Sequence, residues 1–212
     1  MNRTQIINYL ILKNGYKSYL EIGLDNGMNF VNVLCNSKES VDPFFKEDHT
    51  ELDFVFNDDI PEQLKRLLTY RMTSDEFFAQ NKKKYDIIFI DGLHEQSQVA
   101  RDIVNGIKCL NKGGIIVVHD CLPESELAQI VPRQKEAILW NGDVWKGVYE
   151  LIQQGIDIQV LDTDFGCGLV RWTDDENILH YPETSKKTWE DFEKDRDNMM
   201  NVIDENTFFI EY

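Results

Sequence analysis

Three features predict an α/β protein with a doubly wound, mostly parallel sheet. Apolar runs suited to buried strands, at residues 19–22, 87–90 and 115–118, are separated by stretches of helical periodicity. Each run ends in a turn rich in acids, imidazoles or glycines, the place where such sheets bind ligands. The chain then turns back in an apparent antiparallel pair, residues 156–172. A sheet of about seven strands with that hairpin at its C-terminal side is expected. At 212 residues and 42% hydrophobic content, one substantial domain is the default. Its expected extent is 1–172, with an acidic helical tail, 173–212, packed on it.

The elements follow in order. Ile6, Ile7, Leu10 and Ile11 mark one face of an opening helix, about 2–14, that stops at Asn14-Gly15. Strand 18–22 comes next, and MNFVNVLC after Gly27 reads as a helix. SKESVDP supplies a second strand that ends at Pro43. Residues 44–63, with Phe44, Phe45, Phe54 and Phe56, stay unassigned. Tyr70, Met72 and Ser74 suggest a third strand running into TSDEFF. The run 87–90 reads as a central strand covered on both faces, followed by a helix burying Val99, Ile103 and Leu110. Gly113-Gly114 turns into IIVVHD. Beyond it, 141–155 reads as a helix burying Val144, Trp145, Val148, Leu151 and Ile152, and Asp162-Thr163-Asp164 connects the two hairpin strands. In the tail, Trp189, Phe192, Met199 and Ile203 share a face behind a capping box from Thr188 to Asp191. That helix is placed to cover the site, to join a homo-oligomer, or, the favoured reading, to pack on its own domain.

Charge and cysteines exclude more than they identify. With 38 acidic against 22 basic residues the formal net charge is -16, which disfavours a nucleic-acid partner and leaves a small molecule. Cys35, Cys109, Cys121 and Cys167 form no C-x-x-C pair, as expected of reduced thiols in the cytoplasm. No segment reaches the ~18 apolar residues of a membrane span.

The candidate site residues sit at the strand exits. In YLEIGLDNG the glycines Gly23 and Gly27 let backbone approach a ligand around the turn Asp25-Asn26. A dinucleotide site favours three glycines, whereas here Glu21 precedes two, and its carboxylate suits an ammonium or sulfonium ligand better than a diphosphate. Asp42, at the end of the second strand, stands where an acid accepts from ribose hydroxyls in Rossmann-like folds, or else caps the turn before proline. Ser74 and Asp75 open a helix at the next exit. Asp91 and His94, then His119 and Asp120, leave two neighbouring strands at one edge. Together they are suited to hold a divalent cation, the carboxylates favouring magnesium or calcium and the imidazoles widening the choice to manganese, zinc or iron. Trp140, Asp143 and Lys146 could line an acceptor pocket, although core packing is the safer reading of the tryptophan.

YLEIGLDNG resembles motif I of the class I S-adenosylmethionine (SAM)-dependent methyltransferases. Joined to Asp42, IDGLH at 90–94 and GGIIVVHD at 113–120, the likeness covers residues 15–172 and is strongest to the small-molecule and sugar O-methyltransferases that include the macrocin-type enzymes. It implies a Rossmann-like fold and SAM as cofactor, held by Glu21, Gly23, Asp25, Asn26, Gly27, Asp42 and Asp91, with Ser74 and Asp75 beside the adenine. It implies that His94 is the base, that Asp91 and Asp120 bind Mg²⁺ or another divalent metal, and that the acceptor is a small-molecule hydroxyl. His119 replaces an acid of the catechol-type relatives and is taken here as a third ligand. The alternatives from other classes are a nicotinamide-dependent oxidoreductase, whose phosphate-contacting glycines are missing, and a SAM-binding module without catalysis.

Overall fold

Helix α1 (Arg3–Asn14) opens the computed structural model, which describes residues 1–44 and 69–212. The stretch that sequence left unassigned, with Phe45, Phe54 and Phe56, lies outside the described residues from 45 onward. Asn2 accepts from Gln5 N, and the Gln5 side chain returns a bond to Asn2 N, which satisfies two of the helix's free amides. β1 (Ser18–Ile22), α2 (Met28–Asn32) and β2 (Ser37–Val41) follow. Next come α3 (Ser74–Gln80), β3 (Tyr85–Ile90), α4 (Gln96–Cys109) and β4 (Leu110–Val118). The remainder is α5 (Glu126–Gln129), α6 (Val144–Gln153), β5 (Ile158–Leu161), β6 (Cys167–Arg171), α7 (Trp189–Met199), β7 (Val202–Ile203) and α8 (Glu205–Glu211).

The strands form one 7-stranded sheet in the order β2-β1-β3-β4-β6-β5-β7. The four strands from β2 to β4 are parallel, and β6 pairs antiparallel with both β4 and β5. Leu20 lies opposite Ile88, and Ile88 opposite Ile116, so one face of the sheet presents a continuous apolar row. That face packs on Ile103, Val104 and Ile107 of α4, on Trp145 and Val148 of α6, and on Phe192 of α7. Tyr19, Ile87, Phe89 and Val117 point the other way, onto Ile6, Ile7, Leu10 and Ile11 of α1 and Phe208 of α8. The tail therefore packs on this sheet from both sides, Phe192 meeting Trp145 at 4.6 Å between ring centroids. Because β1 is flanked by β2 on one side and β3 on the other, the chain reverses direction across β1. The crevice above the carboxyl ends of β1 and β3 is the topological switch point.

Two expectations are corrected. Tyr70 makes a single parallel bridge to Val41 instead of a third strand, because Thr73 caps α3 by accepting from Glu76 N, which leaves too little extended chain to pair. The seventh strand is instead β7, parallel to β5. The helix expected over MNFVNVLC ends at Asn32, since Asn8 of α1 takes up both the Asn32 carbonyl (3.0 Å) and Leu34 N (2.7 Å). No helix among the described residues is long and apolar enough to cross a membrane.

Candidate active site

A cavity of about 770 Å³ opens at the switch point, a volume in the range of small-molecule sites. Gly23, Asp25, Asp42, Ser74, Asp75, Asp91, His94, His119 and Asp120 all line it. Of the residues singled out for the cofactor, Glu21, Asn26 and Gly27 do not. Gly27 has φ 74° and starts α2, while Asn26 accepts from Met28 N at 3.0 Å, so both shape the turn. Asp42 Oδ2 accepts from Leu24 N (2.8 Å) and Asp25 N (3.3 Å), which ties the glycine turn to the end of β2.

Glu21 is directed inward. Its side chain is 1% exposed and is held by the Tyr19 hydroxyl and by Asn29 Nδ2 at 3.1 Å. Burial pushes its carboxyl up to about 8, despite the bonds from Tyr19 and Asn29 that favour the charged form. Between its ordinary 4.5 and about 8 the unfolded chain has released this proton and the folded chain keeps it. The contribution of this group to stability therefore falls as pH rises through that window, by roughly 5 kcal/mol. Glu21→Gln, which cannot ionise, is expected to flatten the fall. Urea unfolding of both proteins at the two ends of the window checks this; identical pH slopes would contradict it.

The acids and imidazoles converge as their strand-exit positions suggest. Asp91 N donates to Ile22 O at 2.8 Å, holding the exits of β1 and β3 together. His94 Nδ1 lies 3.2 Å from the Trp140 carbonyl, and the two rings stack with centroids 5.1 Å apart. A carbonyl only accepts, so Nδ1 carries a proton and Nε2 is the atom turned to the acids, 3.3 Å from Asp91 Oδ1 and 3.4 Å from Asp120 Oδ2. Asp120 adopts a left-handed φ of 61°, which aspartate tolerates better than most residues and which turns its carboxylate into the cluster. His119 Nδ1 is 3.2 Å from Asp120 Oδ2 and 3.5 Å from Asp91 Oδ1, and its Nε2 is 3.5 Å from Asp164 Oδ2.

Electrostatics follow from that crowding. Burial opposes ionisation of Asp91, yet the charges and hydrogen bonds of His119 and His94 hold it well below the usual carboxylate range. Burial likewise opposes a charge on His119, but Asp91, Asp120 and Asp164 raise it well above an ordinary imidazole. His94 is raised too, against its burial, by Asp91 and Asp120.

Several residues of the cavity carry no local signal in the sequence. Arg3 of α1 reaches Asp91 Oδ2 (2.9 Å) and His119 Nδ1 (3.2 Å) with Nη1. Asn141 Nδ2 donates to Asp120 Oδ1 at 2.6 Å, and its own Oδ1 is buried with no donor among the described residues. Gln98 Nε2 joins Ser74, Asp75 and Asp102, and Asp102, 1% exposed, is pushed up to about 6 by burial. Of the three residues considered for an acceptor wall, Trp140 lines the cavity with Leu93, Leu139 and Phe165. Asp143 instead holds the start of α4, accepting from Gln96 N at 2.7 Å, and the Lys146 ammonium lies 5.6 Å from the Trp145 ring centroid.

The family model described as a methyltransferase domain matches residues 20–121, from within β1 to just past β4, and so includes the glycine turn and both acid–imidazole pairs. Residues 20–121 carry a methyltransferase domain. The fold of this methyltransferase domain is shared with an O-methyltransferase from Bacillus cereus solved with S-adenosylhomocysteine (SAH), at TM-score 0.55 and 16% identity over 82% of each chain. It is shared with a Podospora anserina methyltransferase bound to SAH, at TM-score 0.55 and 17% identity over 81% of this chain and 78% of that one. The O-methyltransferase TomG from Streptomyces achromogenes, involved in tomaymycin synthesis and solved with SAM, gives TM-score 0.55 and 12% identity over 81% and 79%. No curated protein matches the chain by sequence.

Proposed function

We propose that this methyltransferase moves the methyl group of SAM to a hydroxyl of a small molecule, a sugar being the acceptor its sequence resemblance favours. The observation that carries the reading is His94. Its Nδ1 is pinned by Trp140 O, and its Nε2 stands between Asp91 and Asp120 on the cavity that the glycine turn also lines. In the transfer the acceptor oxygen forms a bond to the methyl carbon as the sulfur–carbon bond breaks in line, SAH leaves, and the hydroxyl proton passes to His94 Nε2. The two carboxylates stabilise the imidazolium that results. Trp140, Leu93 and Leu139 supply an apolar wall for the acceptor, which also keeps water from the sulfonium. The net charge of -16 supports a small acceptor over a nucleic acid, and the free cysteines suit the cytoplasm.

A divalent cation fits the donors present. Asp91, His94 and Asp120 each offer a ligand atom within 4.8 Å of the others, and Asn141 adds a buried carbonyl oxygen in want of a partner. Asp91, Asp120 and Asn141 would hold Mg²⁺ or Mn²⁺, leaving His94 for the proton. When bound, such an ion lowers the pKa of a coordinated hydroxyl. The role first considered for His119 as a ligand is less favoured, since its two nitrogens already face Arg3 and the acids. Release of SAH from SAM, measured with a panel of diols, tests the proposal. Excess EDTA is expected to lower the rate at least about tenfold, with Mg²⁺ or Mn²⁺ restoring it; full activity in EDTA removes the metal and leaves the transfer.

A further inference from the structure

We infer that Arg3 is a resident cation of the active site that competes with a divalent metal ion for Asp91. The inference rests on the metal-assisted form of the proposed function. Arg3 is fixed at its root, where its peptide N–H and Nε both donate to Asp164 Oδ2, at 2.7 and 3.1 Å. From there Nη1 reaches Asp91 Oδ2 at 2.9 Å. The other oxygen of Asp91 faces His94 Nε2 at 3.3 Å and His119 Nδ1 at 3.5 Å. Both oxygens of the central carboxylate are thus engaged by nitrogens of the chain itself.

A guanidinium stays charged at any working pH and, in a partly buried site, is screened far less than in water. A divalent ion on Asp91 would meet that charge within a few ångströms, so the two cations exclude each other. The Arg3 side chain is 32% exposed, which leaves it a path to solvent when displaced. A second observation points to a cation at the far end of the cluster. Asn141 Oδ1, in a residue only 2% exposed, finds no donor among the described residues, while its Nδ2 is committed to Asp120. Arg3 supplies charge beside Asp91, and Asn141 marks an oxygen that a metal would use next to Asp120.

The test is a Mn²⁺ titration of the full chain, read from the electron paramagnetic resonance signal of free Mn²⁺. Arg3→Gln, which keeps the backbone contact to Asp164 and loses the charge, is expected to bind Mn²⁺ at least about tenfold more tightly than wild type. Arg3→Lys, which keeps a charge without the fork, is expected to fall between them, and it carries the test if Arg3→Gln does not fold. Equal affinity in the variants and wild type, weaker binding in either variant, or no Mn²⁺ bound by any of the three overturns the inference. Because these outcomes are read from metal binding, they are independent of methyl transfer, which the wild-type SAH-release assay decides separately.

Discussion

His94→Ala is expected to lower methyl transfer by about 10²–10⁴-fold while leaving SAH affinity within about threefold of wild type. The split follows from where His94 stands. It leaves the chain after β3, past the residues that tie β1 to β3, and its ring faces the acids and Trp140, whereas the glycine turn is held by Asp42 and the Val41 carbonyl. Removing the imidazole takes away the proposed proton acceptor without touching those bonds. Asp91 and Asp120 keep other nitrogen partners in His119 and Asn141, so the cluster does not lose its only counter-charge. SAH release under saturating SAM, with calorimetry of SAH binding alongside, checks both halves. Unchanged turnover would remove His94 from the chemistry.

Gly23→Ala is expected to abolish SAH binding and to cost at least about 3 kcal/mol of stability. Gly23 has φ 86°, a region that side chains rarely adopt, and a Cβ there would lie 2.1 Å from Asp91 O and 2.7 Å from the Gly92 Cα. Those neighbours are backbone, and backbone gives way only if the exits of β1 and β3 move apart. The bond from Asp91 N to Ile22 O would be lost with them. Gly15 supplies the control, because it has a similar φ of 68° but nothing within 4 Å. Gly15→Ala is expected to cost only about 1 kcal/mol, the strain alone. Urea unfolding of the two variants separates strain from collision, and a Gly23→Ala protein as stable as Gly15→Ala would contradict the close approach.

What was legible in the sequence follows a physical rule. Residues 87–90 and 115–118 read as central strands because a strand covered on both faces needs no polar alternation, and the residues that end such runs lie at the sheet's carboxyl edge. Hence Asp91, His94, His119 and Asp120 could be placed together from their positions alone. The third strand could not be judged, since Tyr70, Met72 and Ser74 alternate as strand residues do while Thr73 and Glu76 compose a helix cap, and the cap won. Glu21 read as a ligand-facing acid because strand alternation leaves open which side of a buried strand is polar, and of its partners Tyr19 shares its strand and face while Asn29 comes from α2, eight residues on. Arg3 and Asp164 are 161 residues apart, one at the start of the opening helix and the other in the hairpin turn. Only the fold, which lays the start of α1 beside the β5–β6 connection, brings them to Asp91.

The most direct test of the account is a calorimetric titration of the full chain with SAH, with NAD as the contrast. A saturable site for SAH, one per chain, and no heat of binding for NAD is the predicted result. Saturable binding of NAD with none of SAH would contradict a methyl-donor site at the glycine turn.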